Sequence, residues 1–148
     1  MKAIKLIVVF VLNLICSRLG AQSNYSKYIS TNSVGRTHYS KGKYGDSRII
    51  YLGAIKTLAD DTVFYIFTEF ARLQAANVTH GHSMIYYYGK NRREKKRFDV
   101  NMPYELPYKL KNNVLYFKYT ETKQTKIFKN NVGTTIPKEL CVEPGNCF

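Results

Sequence analysis

A chain of 148 residues with 23 Lys and Arg against 10 Asp and Glu, a formal net charge of +13, has room for one modest core and one domain. That balance attracts anionic surfaces, glycans, acidic proteins or nucleic acid, and it serves equally to keep a β protein soluble and its edges unpaired. No Walker A, dinucleotide-binding or G-x-S-x-G pattern occurs, which removes the enzyme classes those motifs define, and no cofactor is expected.

Residues 1–21 have the order of a secretory signal peptide. Lys2 and Lys5 precede an apolar run from Leu6 to Ile15 broken only by Asn13, and Arg18 and Leu19-Gly20-Ala21 close it before Gln22. The run is too short to span a bilayer comfortably, and no later stretch is long and apolar enough to form a membrane helix. The expected location is therefore secreted, periplasmic or in the cell envelope. A lipoprotein signal ending at Cys16 is the minor alternative, weakened by the bulky Ile15 before it. Cleavage after Ala21 removes Lys2, Lys5 and Arg18, taking Lys plus Arg from 23 to 20 against 10 acids and the net charge to +10.

The same cut leaves two cysteines, Cys141 and Cys147. An even pair in an exported chain is expected to form a disulfide, and Pro144-Gly145 between them supplies the turn.

Residues 22–46 are rich in Ser, Thr, Asn, Gly, Lys and Tyr, with Ile29 and Val34 as the sole aliphatics. They are expected to form a flexible arm or loosely docked lead-in to a single β-rich domain over 47–148. Arg48 to Leu52 is β-branched and aromatic between glycines, and Ala59-Asp60-Asp61 makes a turn. Thr62 to Phe70 is apolar on both faces as a strand, so it belongs in the middle of the structure. Val63, Ile66, Phe67 and Phe70 also fit a helical stripe, and the helix formers of 69–76 keep an α+β alternative open. Further strands are expected at 82–88, 95–100, 108–111, 114–119 and 125–128. Asn112-Asn113 suits a tight turn with positive φ. About seven strands with short turns predict an all-β antiparallel meander, closed as a small barrel or folded as a sandwich.

Three features carry candidate chemistry. Arg92, Arg93, Lys95, Lys96 and Arg97 place five cations at the tip and return of a hairpin, a clamp for phosphates or anionic glycans. Tyr86 and Tyr88 precede them on one side of a strand and are candidate stacking partners; Tyr87 points the other way. His80 and His82, two apart in an extended chain, point to one side and form a weak metal pair, with His38, Asp46 or Asp99 available as a third ligand. The same histidines belong to the parts list of a metal-independent ribonuclease. Ser83, on the opposite face from His82, is no nucleophile for it. Asn77-Val78-Thr79 is an N-glycosylation sequon and Asp61-Thr62-Val63 resembles a short O-glycosylation signal.

The expected function is a non-enzymatic binding or accessory role toward an anionic surface, glycan or acidic protein, with nucleic acid behind these. The competing reading is a small secreted hydrolase, nuclease or metal-binding protein using His80 and His82.

Overall fold

The computed structural model describes residues 25–43, 45–75, 78–121, 124–143 and 145–148. The expected signal at 1–21 with Cys16, the start of the lead-in at 22–24, Asn77 of the sequon and Pro144 of the C-terminal turn lie outside these residues.

Ten strands occur among the described residues: β1 (Thr37–Gly42), β2 (Gly45–Lys56), β3 (Thr62–Ala75), β4 (Val78–Gly89), β5 (Glu94–Val100), β6 (Lys109–Lys111), β7 (Val114–Glu121), β8 (Gln124–Asn131), β9 (Cys141–Glu143) and β10 (Asn146–Cys147). The first five form one antiparallel sheet in chain order, β6-β7-β8 form a second, and β9 and β10 pair as a small hairpin. No pairing closes β5 onto β6, so the molecule is a sandwich of sheets and not a barrel.

The stretch that was ambiguous between helix and strand is β3, the central strand of the large sheet. Its alternation sends Phe64 and Ile66 to one face and Tyr65 and Phe67 to the other, and both faces are covered. On one face Leu52, Ile55, Ile66, Ile85, Tyr87, Phe98 and Val100 pack against Leu115 and Phe117 of the second sheet, with Val132, Leu140 and Val142 beneath. This is the larger core, and burying its apolar surface supplies the main driving force. On the other face Ile49, Tyr51, Phe67, Tyr86 and Tyr88 form a second, tyrosine-rich core closed by Tyr25. Tyr25 meets Tyr86 edge-on at 5.4 Å between ring centroids, and Phe67 meets Tyr88 in the same way at 5.2 Å.

Tyr25 belongs to the segment whose composition argued for a loosely docked lead-in. Two short 3-10 turns, Tyr25–Tyr28 and Thr31–Ser33, lay that segment over the tyrosine core, and β1 then pairs along β2 from Thr37 to Gly42. Few aliphatics are needed there because two tyrosines and Ile29 supply the contact.

Turns and ties hold the two sheets in place. Asn112 and Asn113 both adopt positive φ, as a tight hairpin between β6 and β7 requires. Asn113 does more than turn the chain. Its Oδ1 accepts from the Lys56 N–H at 3.0 Å and its Nδ2 donates to the Lys56 carbonyl at 2.6 Å, joining the hairpin to the end of β2. Gly53 sits at a register shift between β2 and β3 with φ of +127°, and a Cβ there would stand 3.8 Å from Leu110 of the facing sheet. Cys141 and Cys147 are disulfide-bonded. The bond closes the β9–β10 hairpin beside the buried Leu140 and Val142, so it anchors a part of the core as well as the chain's end. Buried Glu105 ties the loop before β6 to that hairpin, accepting from the Met102 N–H at 2.8 Å and from Asn146 Nδ2 at 2.9 Å.

Candidate functional site

The turn between β4 and β5 is the molecule's most cationic feature, and its backbone explains how the charges are displayed. The Arg92 N–H donates to the Gly89 carbonyl at 2.8 Å and the Gly89 N–H to the Arg93 carbonyl at 2.9 Å. This closes a three-residue turn in which Arg92 takes φ of +59°. Such turns put their last residue in the left-handed region, where Gly fits without strain and a residue with a Cβ does not. Arginine occupies it here. Gly89 has its own role, because a Cβ there would come within 2.8 Å of Lys95 Cε, so its bare backbone makes room for the Lys95 stem.

The five cations grouped by the sequence part company in the fold. Arg92, Arg93 and Lys95 are exposed, and none makes an ion pair among the described residues. Lys90 is exposed beside them. Lys96 faces the other way, opposite Tyr87 in register, and its Nζ donates to the carbonyls of Lys138 at 2.7 Å and Pro137 at 3.1 Å. It also lies 4.4 Å from the centroid of Phe98. Its charge clamps the C-terminal segment to the sheet. Arg97 pairs with Glu94 at 2.7 Å and stands over the Tyr86 ring at 5.7 Å, sealing the edge of the tyrosine core. The free patch is thus Lys90, Arg92, Arg93 and Lys95.

Tyr86 and Tyr88 do not form a stacking surface beside this patch. Both are buried, as is Tyr87 on the opposite face. The sequence reveals the alternation but gives no sign that the 25–33 segment covers the face to which Tyr86 and Tyr88 point. Tyr86 donates its hydroxyl hydrogen to Glu69 Oε2 at 2.7 Å, and Glu69 is itself buried. Burial first, and then the bond to Glu69, push the Tyr86 hydroxyl well above the usual tyrosine range. Burial likewise raises Tyr51 to about 12, with Tyr65 adding to the rise and the nearby Arg92 charge opposing it.

His80 and His82 stand side by side on β4, opposite Leu73 and Ala71, and both are exposed. Gly81 between them keeps regular register with Arg72, so the rings are not splayed by a bulge. Among the described residues no third ligand joins them. His38 stacks on Tyr28 at 4.1 Å, Asp46 is held by Arg72 through contacts of 2.6 and 3.0 Å, and Asp99 lies opposite Met84. Among the described residues no three His, Cys, Asp or Glu side chains group closely enough to hold a metal. The cavity on their side of the sheet, about 270 Å³, is lined by Ser40, Asp46, Ser47, Glu69, Ala71 and Leu73 and by neither histidine. Both rings therefore stand on an exposed stretch of the sheet face, outside that cavity.

No helix among the described residues is long and apolar enough to cross a membrane. Compared with protein-family models, characterised proteins and solved structures, the chain finds no match.

Proposed function

We propose that this protein is an exported, non-enzymatic β-sandwich domain that binds a polyanionic glycan of the cell envelope or its surroundings through the tip of the β4–β5 hairpin. Export follows from the charge–apolar–small order of residues 1–21 and accords with the Cys141–Cys147 disulfide, a bond favoured in oxidising compartments.

The observation that carries the reading is Arg92. A residue with a long charged side chain occupies the backbone position that glycine fills most easily, and it stands exposed with no ion pair among the described residues. Strain kept at a cationic tip favours a binding role over a merely solvating one, because glycine there would ease the turn and leave ample charge for solubility. Tips of this kind contact anions as point charges and forks, and need no preformed pocket.

Retention on a heparin column tests the proposal. Replacing Arg92, Arg93 and Lys95 by Gln is expected to move elution to markedly lower salt. Lys96→Gln, which removes equal charge per residue but from the C-terminal clamp, is expected to lower stability and to shift elution little. If the two changes shift elution equally per charge removed, the tip has no special role.

A further inference from the structure

At the end of the large sheet away from the hairpin, a trough lies on the core-facing side. Its floor is a row in register across three strands: Tyr39 of β1, Arg48 of β2 and Phe70 of β3. One depression, about 180 Å³, runs from this row toward the Asp46–Arg72 ion pair. A second, about 200 Å³, runs toward Tyr104, Tyr108 and Lys118. Arg48 and Phe70 line both, so the two depressions meet along this row.

We infer that this trough is a saccharide site taking two consecutive rings of an acidic oligosaccharide, with Arg48 meeting the carboxylates or sulfates. The chemistry is that of sugar recognition. Tyr39, Tyr104 and Tyr108 are 74%, 52% and 46% exposed, and the Tyr104 ring leans on Tyr119 at 5.5 Å between centroids. Amphipathic rings of this sort offer an apolar surface and a polar edge to a ligand with the same mixture. Phe70 lies over Gly81, where an added Cβ would come within 3.1 Å of its ring, so the floor is flattened by the absence of a side chain.

Size and charge narrow the ligand. Each half is smaller than the roughly 300 Å³ at which ligand pockets begin, so a ligand enters one ring per half. Arg48 makes no ion pair among the described residues, in contrast to Arg72, which Asp46 neutralises at the trough's end. An acidic peptide fits less well. Extended peptides gain much of their affinity from main-chain bonds to a sheet edge, and this trough lies on a sheet face.

The site is separate from the hairpin. Phe70 pairs with Ser83 and Phe64 with Gly89, so six residue steps along β4, roughly 20 Å of extended chain, separate trough and tip. The inference shares with the proposed function only the expectation of an anionic partner, and it stands or falls by different residues.

Titration of the purified protein with a trimer of galacturonic acid, followed by amide chemical shifts and calorimetry, tests it. Shifts are expected at Tyr39, Arg48, Phe70 and Tyr108. Arg48→Gln and Tyr108→Ala are each expected to weaken binding by tenfold or more, with unchanged melting, and a neutral maltotriose to bind at least tenfold more weakly. Tyr39→Ala, on a different strand of the floor, provides an independent variant should Arg48→Gln disturb the fold. The Arg92, Arg93 and Lys95 replacements are expected to leave this binding within twofold while still lowering retention on heparin. No binding of the trimer, shifts confined to the hairpin, indifference to both Arg48→Gln and Tyr39→Ala, or tighter binding of a tetraglutamate peptide to the same residues would overturn the inference.

Discussion

Arg92 concentrates the balance between stability and binding into one side chain. Its left-handed backbone costs about 1 kcal/mol relative to a residue without a Cβ. Arg92→Gly is therefore expected to raise the free energy of unfolding by up to about 1 kcal/mol, offset in part by the greater freedom of glycine in the unfolded chain. The same change is expected to lower retention on heparin, with urea unfolding and column elution read on one preparation. A substitution that stabilises and weakens binding together is the signature of a residue kept for contact. Asn112 and Asn113 make the instructive contrast, since they adopt positive φ with residues that tolerate it. That turn was legible in the sequence. The strain at Arg92 was not, because the cationic run disguises which residue closes the turn. Nor was the withdrawal of Lys96 to the carbonyls of Pro137 and Lys138, which come from a segment over forty positions away.

Among the elements, β-branched and aromatic runs marked the cores of β2 through β8 well, and their lengths poorly. The expectation for β3 ended at Phe70, whereas the strand continues to Ala75. Residues 69–75 favour helix locally, but pairing on both sides, with β2 and with β4, overrides that preference. β1 was hidden for the opposite reason. Its Ser, Lys and Gly residues bury little, and the strand is held by the ladder to β2. Tyr25 fixes the segment before it. Removing that ring by Tyr25→Ala is expected to cost about 3 kcal/mol or more, because it opens a cavity against Phe67, Tyr86 and Tyr88. Thermal unfolding checks this. A change below about 1 kcal/mol, the size expected of an exposed residue, would return the segment to the loosely docked lead-in that its composition implies.

For the molecule as a whole, the tyrosine-rich interior links stability to high pH. Tyr51, Tyr86, Tyr87 and Tyr88 all have hydroxyls pushed upward, chiefly by burial. A raised folded-state pKa favours the neutral phenol in the fold. The stabilisation relative to the unfolded chain is complete below about 10, the ordinary tyrosine value, and is lost as pH rises through the folded-state value, about 12 for Tyr51. Absorbance titration is expected to show Tyr51 ionising only near pH 12, and Tyr86, Tyr87 and Tyr88 staying neutral well above the ordinary tyrosine value until the protein unfolds. A single transition of all tyrosines near pH 10 in the folded protein would contradict this packing. The fold class, the disulfide and the hairpin grammar were readable from one chain because they depend on local pattern. The two cores and the trough were not, since they arise where distant strands meet.

The central claim, a polyanion-binding tip, is tested most directly by the salt dependence of heparin affinity. Charge contacts release counterions, so each contact steepens the fall of log affinity with log salt by a little under one unit. The account predicts that replacing Arg92, Arg93 and Lys95 with Gln flattens that slope by about two units or more, while the fold and melting temperature are preserved. A slope unchanged by the triple replacement would contradict it.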